Sequence, residues 1–494
     1  MSVNRRPNIL YIMCDQLRFD ALRCHGNPIV QTPSFDRLLR RGLDFTNAYS
    51  SCPVCVPARM TIRTGCDNAR TGIYENEQPL PMDGQPAAMA DRCGPPLAAV
   101  LRAAGYRAFG IGKFHNLPDP YENLGYDVQL HTEEIFVRSR PNQDAFAAFL
   151  AREHPEYAHV EQLHGERTEM YYQPQTSPLP AELTVERFVA DRVCEQLADP
   201  DPRPYFGFVS FIGPHPPCAP PIPFNRLYNP DDIPNPVRGA PATDLMDEQI
   251  VFMNHAIWAD ELNDFAARLV KARYYGEVTY IDDCLGRILD AVEARPDADD
   301  TLIAFFSDHG DHLGDHHAWQ KESFFEASCH VPFAVSYPRR LRPGEDRSLV
   351  CLTDLFGLAA CAAGVPELRD GHALWEQLTA GGPAREALFT TYGRPGTPRF
   401  KCMARQGDEK YIFLANGGGE QLFDLAADPH ELHNLAAARP DRTGALRAWA
   451  ARQCARDGLR AAIRDGDFLS FPYTPRPPER IRQFGIPEND FGVR

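Results

Sequence analysis

The sequence predicts an α/β fold: a large, mostly parallel sheet flanked by helices, with a smaller C-terminal subdomain built on an antiparallel sheet. Two observations predict it. Short apolar runs rich in β-branched and aromatic residues alternate with helical patterns through the first 380 residues. Beyond that point the chain changes to short strands joined by Gly- and Asp-containing turns.

Asn8–Met13 is too apolar for a half-exposed strand and reads as a buried one. "TPSFDRLLRRG" is a helix with Pro33 near its start and Gly42 as its stop. "GPPLAAVLRAAGY" is a second helix, closed at Gly105, that leads into the strand "YRAFGIG". "PYFGFVSFIG" is another continuous apolar run, and a long helical pattern from Ala272 to Glu293 precedes the strand "TLIAFFS" at 301–307. Residues 130–200 and 216–262 are irregular and rich in Pro, Asp and His, as insertions lining a substrate site would be. "ALFTTYG", "FKCMARQG", "EKYIFLANG" and "EQLFDLAADP" are the antiparallel strands, followed by the helix "DRTGALRAWAARQCAR". The organisation is therefore a catalytic α/β domain over 1–380 and a subdomain over 381–494, without internal repeats. The tail from about 471 is Pro- and Arg-rich and builds no core. Its aromatics offer anchors on another surface, such as a neighbouring subunit of a homo-oligomer.

The composition, 43% hydrophobic and 24% charged over 494 residues, is that of a soluble globular protein. A net charge of -16 argues against nucleic acid, which needs clustered Lys and Arg, but not against a small anion in a locally positive pocket. The apolar run Ile9–Met13 is too short for a signal peptide, and no stretch reaches membrane-spanning length. Fourteen cysteines without a framework pattern fit a reducing compartment, so a cytoplasmic protein without a membrane partner is expected.

The four clearest strands all run into polar residues: Asp15-Gln16, Lys113-Phe114-His115, His215 and Asp308-His309. In open α/β sheets ligands sit outside the carboxyl ends of strands, so these residues predict one shared site. Asp15, Gln16, Asp308 and His309 form a candidate divalent-metal set: the oxygens suit Ca²⁺ or Mg²⁺, and the imidazole brings Mn²⁺ or Zn²⁺ into range. The rest of "DHGDHLGDHH", namely Asp311, His312, Asp315, His316 and His317, reads as a solvated acidic loop. In "SSCPVCVPARMTIRTG" a zinc site at Cys52 and Cys55 would need a second ligand pair, which is missing, while a redox pair stays open. Pro57 suits the first turn of a helix running to Gly65. Cys55 would then stand at a helix N-terminus, where anions are favoured, with Arg59 one turn on.

Cys55-Val56-Pro57-Ala58-Arg59 resembles the C-x-P-x-R signature of type I sulfatases, of the alkaline-phosphatase superfamily. "PNILYIMCDQLRFDALRCHGNPIVQTPSFDRL", "GYRAFGIGKFH", "SDHGDHLGDHHAWQKESFFEASCHVPF" and "EQLFDLAADPHELHNLA" are similar to four further family elements in the same order. The resemblance implies an alkaline-phosphatase-like fold and hydrolysis of sulfate esters, of a sulfated carbohydrate or an aryl alcohol. It implies that a formylglycine-generating enzyme oxidises Cys55 to formylglycine, whose hydrate attacks sulfur in line. The second hydroxyl of that hydrate then lets the sulfated adduct collapse and release sulfate. By the same resemblance Asp15, Gln16, Asp308 and His309 hold one divalent cation, Ca²⁺ in most relatives and Mn²⁺ as the alternative. Lys113 and Lys321 clamp the non-bridging oxygens, His115 assists collapse as a base, and His215 protonates the leaving oxygen. Three positions depart from the usual pattern: Gln16 replaces an acid, His309 replaces an amide, and Cys66 ends the "Arg63-Thr64-Gly65" element. The nearest rival on this scaffold is a phosphonate monoester hydrolase or phosphodiesterase; those relatives commonly lack the Gly-Lys-x-His element that Lys113 and His115 supply.

Overall fold

The computed structural model describes residues 6–76, 86–117, 119–133, 141–157, 172–239, 247–260 and 262–477. In chain order its strands are β1 (Asn8–Cys14), β2 (Leu43–Phe45), β3 (Ala48–Tyr49), β4 (Arg107–Gly112), β5 (Val128–His131), β6 (Tyr205–Phe211), β7 (Thr301–Ser307), β8 (Phe333–Ser336), β9 (Gly344–Asp346) and β10 (Val350–Cys351). Eight of them form one sheet in the order β5-β4-β6-β1-β7-β8-β2-β9. From β5 to β7 all neighbours are parallel, while β8 runs antiparallel to β7 and to β2.

The strand period of two divides β1 between two cores. Leu10, Ile12 and Cys14 pack with the helices Val185–Ala198 and Asp264–Glu293. Ile9, Tyr11 and Met13 face the opposite side, with the helices Leu97–Ala103 and Asp354–Ala362. Helices on both faces explain why the β1, β6 and β7 sequences are continuously apolar rather than alternating.

Several boundaries differ from expectation. The long helix starts at Asp264, not Ala272, because the Asn263 side chain caps it by accepting from the Ala266 N–H. The two stretches read as irregular contain the helices Ala145–Glu153, Val185–Ala198 and Glu248–Ala256, capped by Asp144, Thr184 and Asp247. The helix Pro33–Leu39 stops at Arg40 rather than at Gly42. Gly42 serves close packing instead, since a Cβ there would lie 2.7 Å from the Val335 carbonyl on β8.

The C-terminal strands β11 (Ala387–Tyr392), β12 (Lys401–Gln406), β13 (Glu409–Leu414) and β14 (Gly419–Asp424) form the expected antiparallel meander. One face packs on Leu446, Ala450 and Cys454 of the helix Pro440–Arg456. The other, through Met403, Ile412 and Phe423, packs on Tyr49, Cys52, Val54, Phe324 and Phe325. The small sheet thus buttresses the loops before Cys55 and after Lys321. The first part of the tail folds back on its own chain: Phe471 bridges to Asn416, and Arg476 lies over the Phe252 ring. The remainder, expected to reach another surface, lies outside the described residues beyond 477. Among the described residues no helix is long and apolar enough to cross a membrane. All fourteen cysteines are free thiols.

Candidate active site

Strands β4, β6, β1 and β7 are consecutive in the sheet, so the residues following them meet at one edge. Asp15 and Gln16 follow β1, Lys113 and His115 follow β4, His215 follows β6, and Asp308 and His309 follow β7. Gly112 makes the Lys113 turn possible: its φ is +121°, and a Cβ there would fall 1.9 Å from the Ser210 carbonyl oxygen. The helix Cys55–Thr64 points its first turn at the same edge, and all its residues are buried. Its N-cap, Val54, has no side-chain acceptor; Asn76 Oδ1 accepts the Val56 N–H instead, at 2.9 Å.

At the centre is Cys55. Its Sγ lies 3.1 Å from His309 Nε2, 3.1 Å from Lys321 Nζ and 3.6 Å from Asp15 Oδ1. His115 and His215 are close enough to this sulfur for its charge to act on their rings. Arg59 donates to Asp15 Oδ2 at 2.8 Å, to Asp308 Oδ2 at 3.0 Å and to Ser210 Oγ at 3.0 Å. Lys113 Nζ is 2.6 Å from the same Asp15 oxygen, and Lys321 Nζ is 2.7 Å from Gln16 Oε1. The His309 and His215 Nδ1 atoms sit 3.0 Å and 2.7 Å from the carbonyls of Gly310 and Pro216. Carbonyls only accept, so Nδ1 carries the proton and Nε2 faces the cluster in both rings. Glu133 accepts the main-chain N–H of Phe114 and of His115, at 2.9 Å and 3.0 Å, and so shapes the loop carrying His115.

Burial alone would push the Cys55 thiol up, but Lys321 and Lys113, with His309 and His115, hold it well below its ordinary value. Asp15 is likewise kept below the usual carboxylate range: Lys113, His215 and Arg59 overcome burial and the Cys55 charge. Asp308 is raised by burial and by Asp15. His215 is held well below the usual imidazole range by burial, Lys321 and Lys113. The residue-55 position thus favours an anion, at a helix N-terminus with Lys321 Nζ 3.1 Å from its side chain.

All ten predicted residues come together here. One ligand atom each from Asp15, Cys55, Asp308 and His309 lie within 4.8 Å of one another. Cys52 Sγ lies against the Tyr74 carbonyl at 3.8 Å, burial pushes its thiol up, and neither Cys52 nor Cys55 is in a disulfide. The solvated-loop reading is corrected at four residues: Asp311 and His312 are 0% exposed, and Asp315 and His316 each 7%, while His317 is half-buried. His312 meets Ser323 Oγ at 2.7 Å, Asp315 pairs with Arg18 at 2.8 Å, and His316 stacks on Phe325 with centroids 4.0 Å apart. Sequence reasoning also missed Asn76, Glu133 and Tyr172; Glu133 stands two residues after β5, a short half-buried strand absent from the sequence reading, and the other two follow no strand.

The Sulfatase family model matches residues 7–365. A choline-sulfatase of Rhizobium meliloti is 31% identical over 87% of this chain and 82% of its own length. A multifunctional alkaline phosphatase superfamily protein, PehA, of Trinickia caryophylli is 29% identical over 87% of this chain and 91% of its own. In structure, a phosphonate monoester hydrolase of Agrobacterium radiobacter superposes with a TM-score of 0.73 at 26% identity, covering 94% of this chain and 100% of that one. With the family model matching residues 7–365 and a choline-sulfatase 31% identical over 87% of this chain, the chain belongs to the sulfatase family of sulfuric ester hydrolases.

Proposed function

We propose that this protein hydrolyses sulfate monoesters of a carbohydrate or a small alcohol, with residue 55 acting as formylglycine and one divalent cation in the site. The observation that carries this reading is the setting of Cys55: first residue of its helix, buried, and within reach of Lys321, His309 and Asp15.

The donor chemistry fits a cation. Two carboxylates, one amide oxygen and one imidazole suit Ca²⁺, with Mn²⁺ admitted by the nitrogen. Asp15, Gln16, Asp308 and His309 would hold it. When bound, it supplies Lewis acidity that draws charge from the sulfate and lowers the pKa of a hydroxyl on residue 55.

The chain's own side chains do the rest. Lys113 and Lys321 pair with non-bridging oxygens and favour the charge that builds on them. Arg59 orients Asp15 and Asp308 through its Nη2 and Nε donors. His215 is held low first by burial and then by Lys321 and Lys113; a bound sulfate offsets the two lysines and favours uptake of a solvent proton, which the ring hands to the leaving oxygen. His115, facing residue 55, takes the proton released as the sulfated adduct collapses. Maturation requires a formylglycine-generating enzyme acting on Cys55.

One observation favours a second reading: the likeness to the phosphonate monoester hydrolase of Agrobacterium radiobacter. The test is kcat/KM of converted, Ca²⁺-loaded protein on matched nitrophenyl esters of sulfate, phenylphosphonate and phosphodiester. The sulfate monoester is expected to be fastest; a leading phosphonate monoester would replace the proposal with the second reading.

A further inference from the structure

Gln16 stands where an acid would be the simpler cation ligand, and the structure shows what an amide needs there. A carboxylate can ligate through either oxygen, but an amide offers only one, and a flipped amide would present its NH₂ to the cation. We propose that Asp311 and Tyr172 are positioning residues that lock the Gln16 amide with Oε1 facing the cation; this rests on the metal reading above.

The partners of Gln16 fix which end of its amide is which. Gln16 Nε2 donates to Asp311 Oδ2 at 2.5 Å and lies 3.1 Å from the Tyr172 hydroxyl oxygen, the two partners standing on the same side of the amide nitrogen. The Tyr172 hydroxyl donates to the same Asp311 Oδ2, leaving its oxygen to accept the Gln320 N–H, at 3.1 Å. Asp311 Oδ1 takes the Leu313 N–H at 2.8 Å, which fixes the carboxylate plane. On the other side, Gln16 Oε1 meets Lys321 Nζ at 2.7 Å. A carboxylate only accepts and an ammonium only donates, so this surrounding admits one amide orientation.

A flip would set Oε1 against the Asp311 carboxylate and NH₂ against the Lys321 ammonium, two repulsive contacts in place of two charge-assisted bonds. Gln16 is 0% exposed, Asp311 0% and Tyr172 2%, so water cannot substitute for either partner. The backbone is held as well: Gln16 N donates to Asp308 Oδ1 at 3.1 Å, and its carbonyl accepts the Tyr274 hydroxyl at 2.8 Å. The Asp311 charge, one hydrogen bond behind the amide, also draws electron density towards Oε1 and makes a neutral ligand a better donor.

The test measures Ca²⁺ and Mn²⁺ affinity of the full-length chain by competition with a fluorescent chelator, a readout independent of turnover. Asp311→Asn should weaken binding about 10- to 100-fold, the range for outer partners of metal ligands. Gln16→Glu alone should also weaken it, because two carboxylates then face each other. Together, Gln16→Glu with Asp311→Asn restores donor against acceptor, and the double variant should return to within about threefold of wild type. A purely structural role for Asp311 would not be rescued by a change at residue 16. Asp311→Asn within about twofold of wild type, or a double variant no tighter than the weaker single, overturns the proposal. Should Asp311→Asn fail to fold, Tyr172→Phe carries the test, with a several-fold loss expected and unchanged affinity contradicting it. A wild-type chain that binds neither cation removes the metal reading itself, and this inference with it.

Discussion

Replacing Lys113 by Met removes one ammonium while keeping an unbranched apolar stem in a position that is 0% exposed. Two effects follow, and they differ in size. The first falls on the fold, because Lys113 Nζ pairs with Asp15 Oδ2 at 2.6 Å. Breaking a buried pair typically costs about 3–5 kcal/mol. Here Arg59 Nη2 remains 2.8 Å from the same oxygen, so the loss should fall at or below the low end. The second falls on the reaction. A charge-assisted contact to a non-bridging oxygen is worth about 1.5–3 kcal/mol, or roughly tenfold to a hundredfold in rate. A sulfate monoester offers three such oxygens, whereas a phosphodiester replaces one with an alkoxy group that cannot make the contact. The assay is kcat/KM for nitrophenyl sulfate and bis-nitrophenyl phosphate, in wild type and Lys113→Met. Sulfate hydrolysis should fall at least about tenfold more than diester hydrolysis. Equal losses on both substrates would refute Lys113 as a source of monoester preference.

Asp308→Ala should abolish cation binding and turnover together while leaving the far-ultraviolet spectrum unchanged; wild-type turnover in exhaustively chelated variant would eliminate the metal role. Glu186, buried behind the His215 loop and accepting the Gly213 N–H at 3.2 Å, has its carboxyl raised by burial from 4.5 to about 7. Its contribution to stability is therefore complete below about pH 4.5 and lost as pH rises to about 7. Glu186→Gln should match wild type at pH 4.5 and exceed it by up to about 3 kcal/mol above pH 7. A difference in melting temperature that stays flat from pH 4.5 to 8 would contradict the buried-acid assignment. Cys52→Ala should keep most activity in a sulfate-release assay, because the Cys52 sulfur faces the Tyr74 carbonyl rather than the site; an inactive, folded variant would return Cys52 to the mechanism.

Much of the site could be read before the fold, for a physical reason. A parallel sheet covered on both faces leaves uninterrupted apolar runs, and their ends mark its carboxyl edge; Asp15, Lys113, His215 and Asp308 stand at four such ends. Cys55 and Arg59 were legible from Pro57 and the helix it opens, whereas Lys321 came from the family motif alone. Asp311 and His312 were misread because a run of Asp and His looks solvated on hydropathy. Their partners are Tyr172, 139 residues before Asp311, and Ser323, 11 residues after His312. Tyr172 itself lies in a stretch without periodicity. The helices missed in the insertions had visible caps at Asp144, Thr184 and Asp247, but short apolar stripes hid what followed. Asn76 caps the signature helix from 21 positions downstream of Cys55 (76 − 55), a distance no local capping rule covers.

The most direct measurement of the central claim relates activity to the chemical state of residue 55. Preparations made with increasing amounts of co-expressed modifying enzyme are digested, and peptide mass spectrometry gives the fraction of Cys55 converted from CH₂–SH to CHO. Each preparation is then assayed for sulfate release from nitrophenyl sulfate under saturating Ca²⁺. The account predicts that kcat per molecule rises in proportion to the converted fraction and extrapolates to zero at no conversion. Full activity in preparations with unmodified Cys55, or in the Cys55→Ala variant, would contradict it.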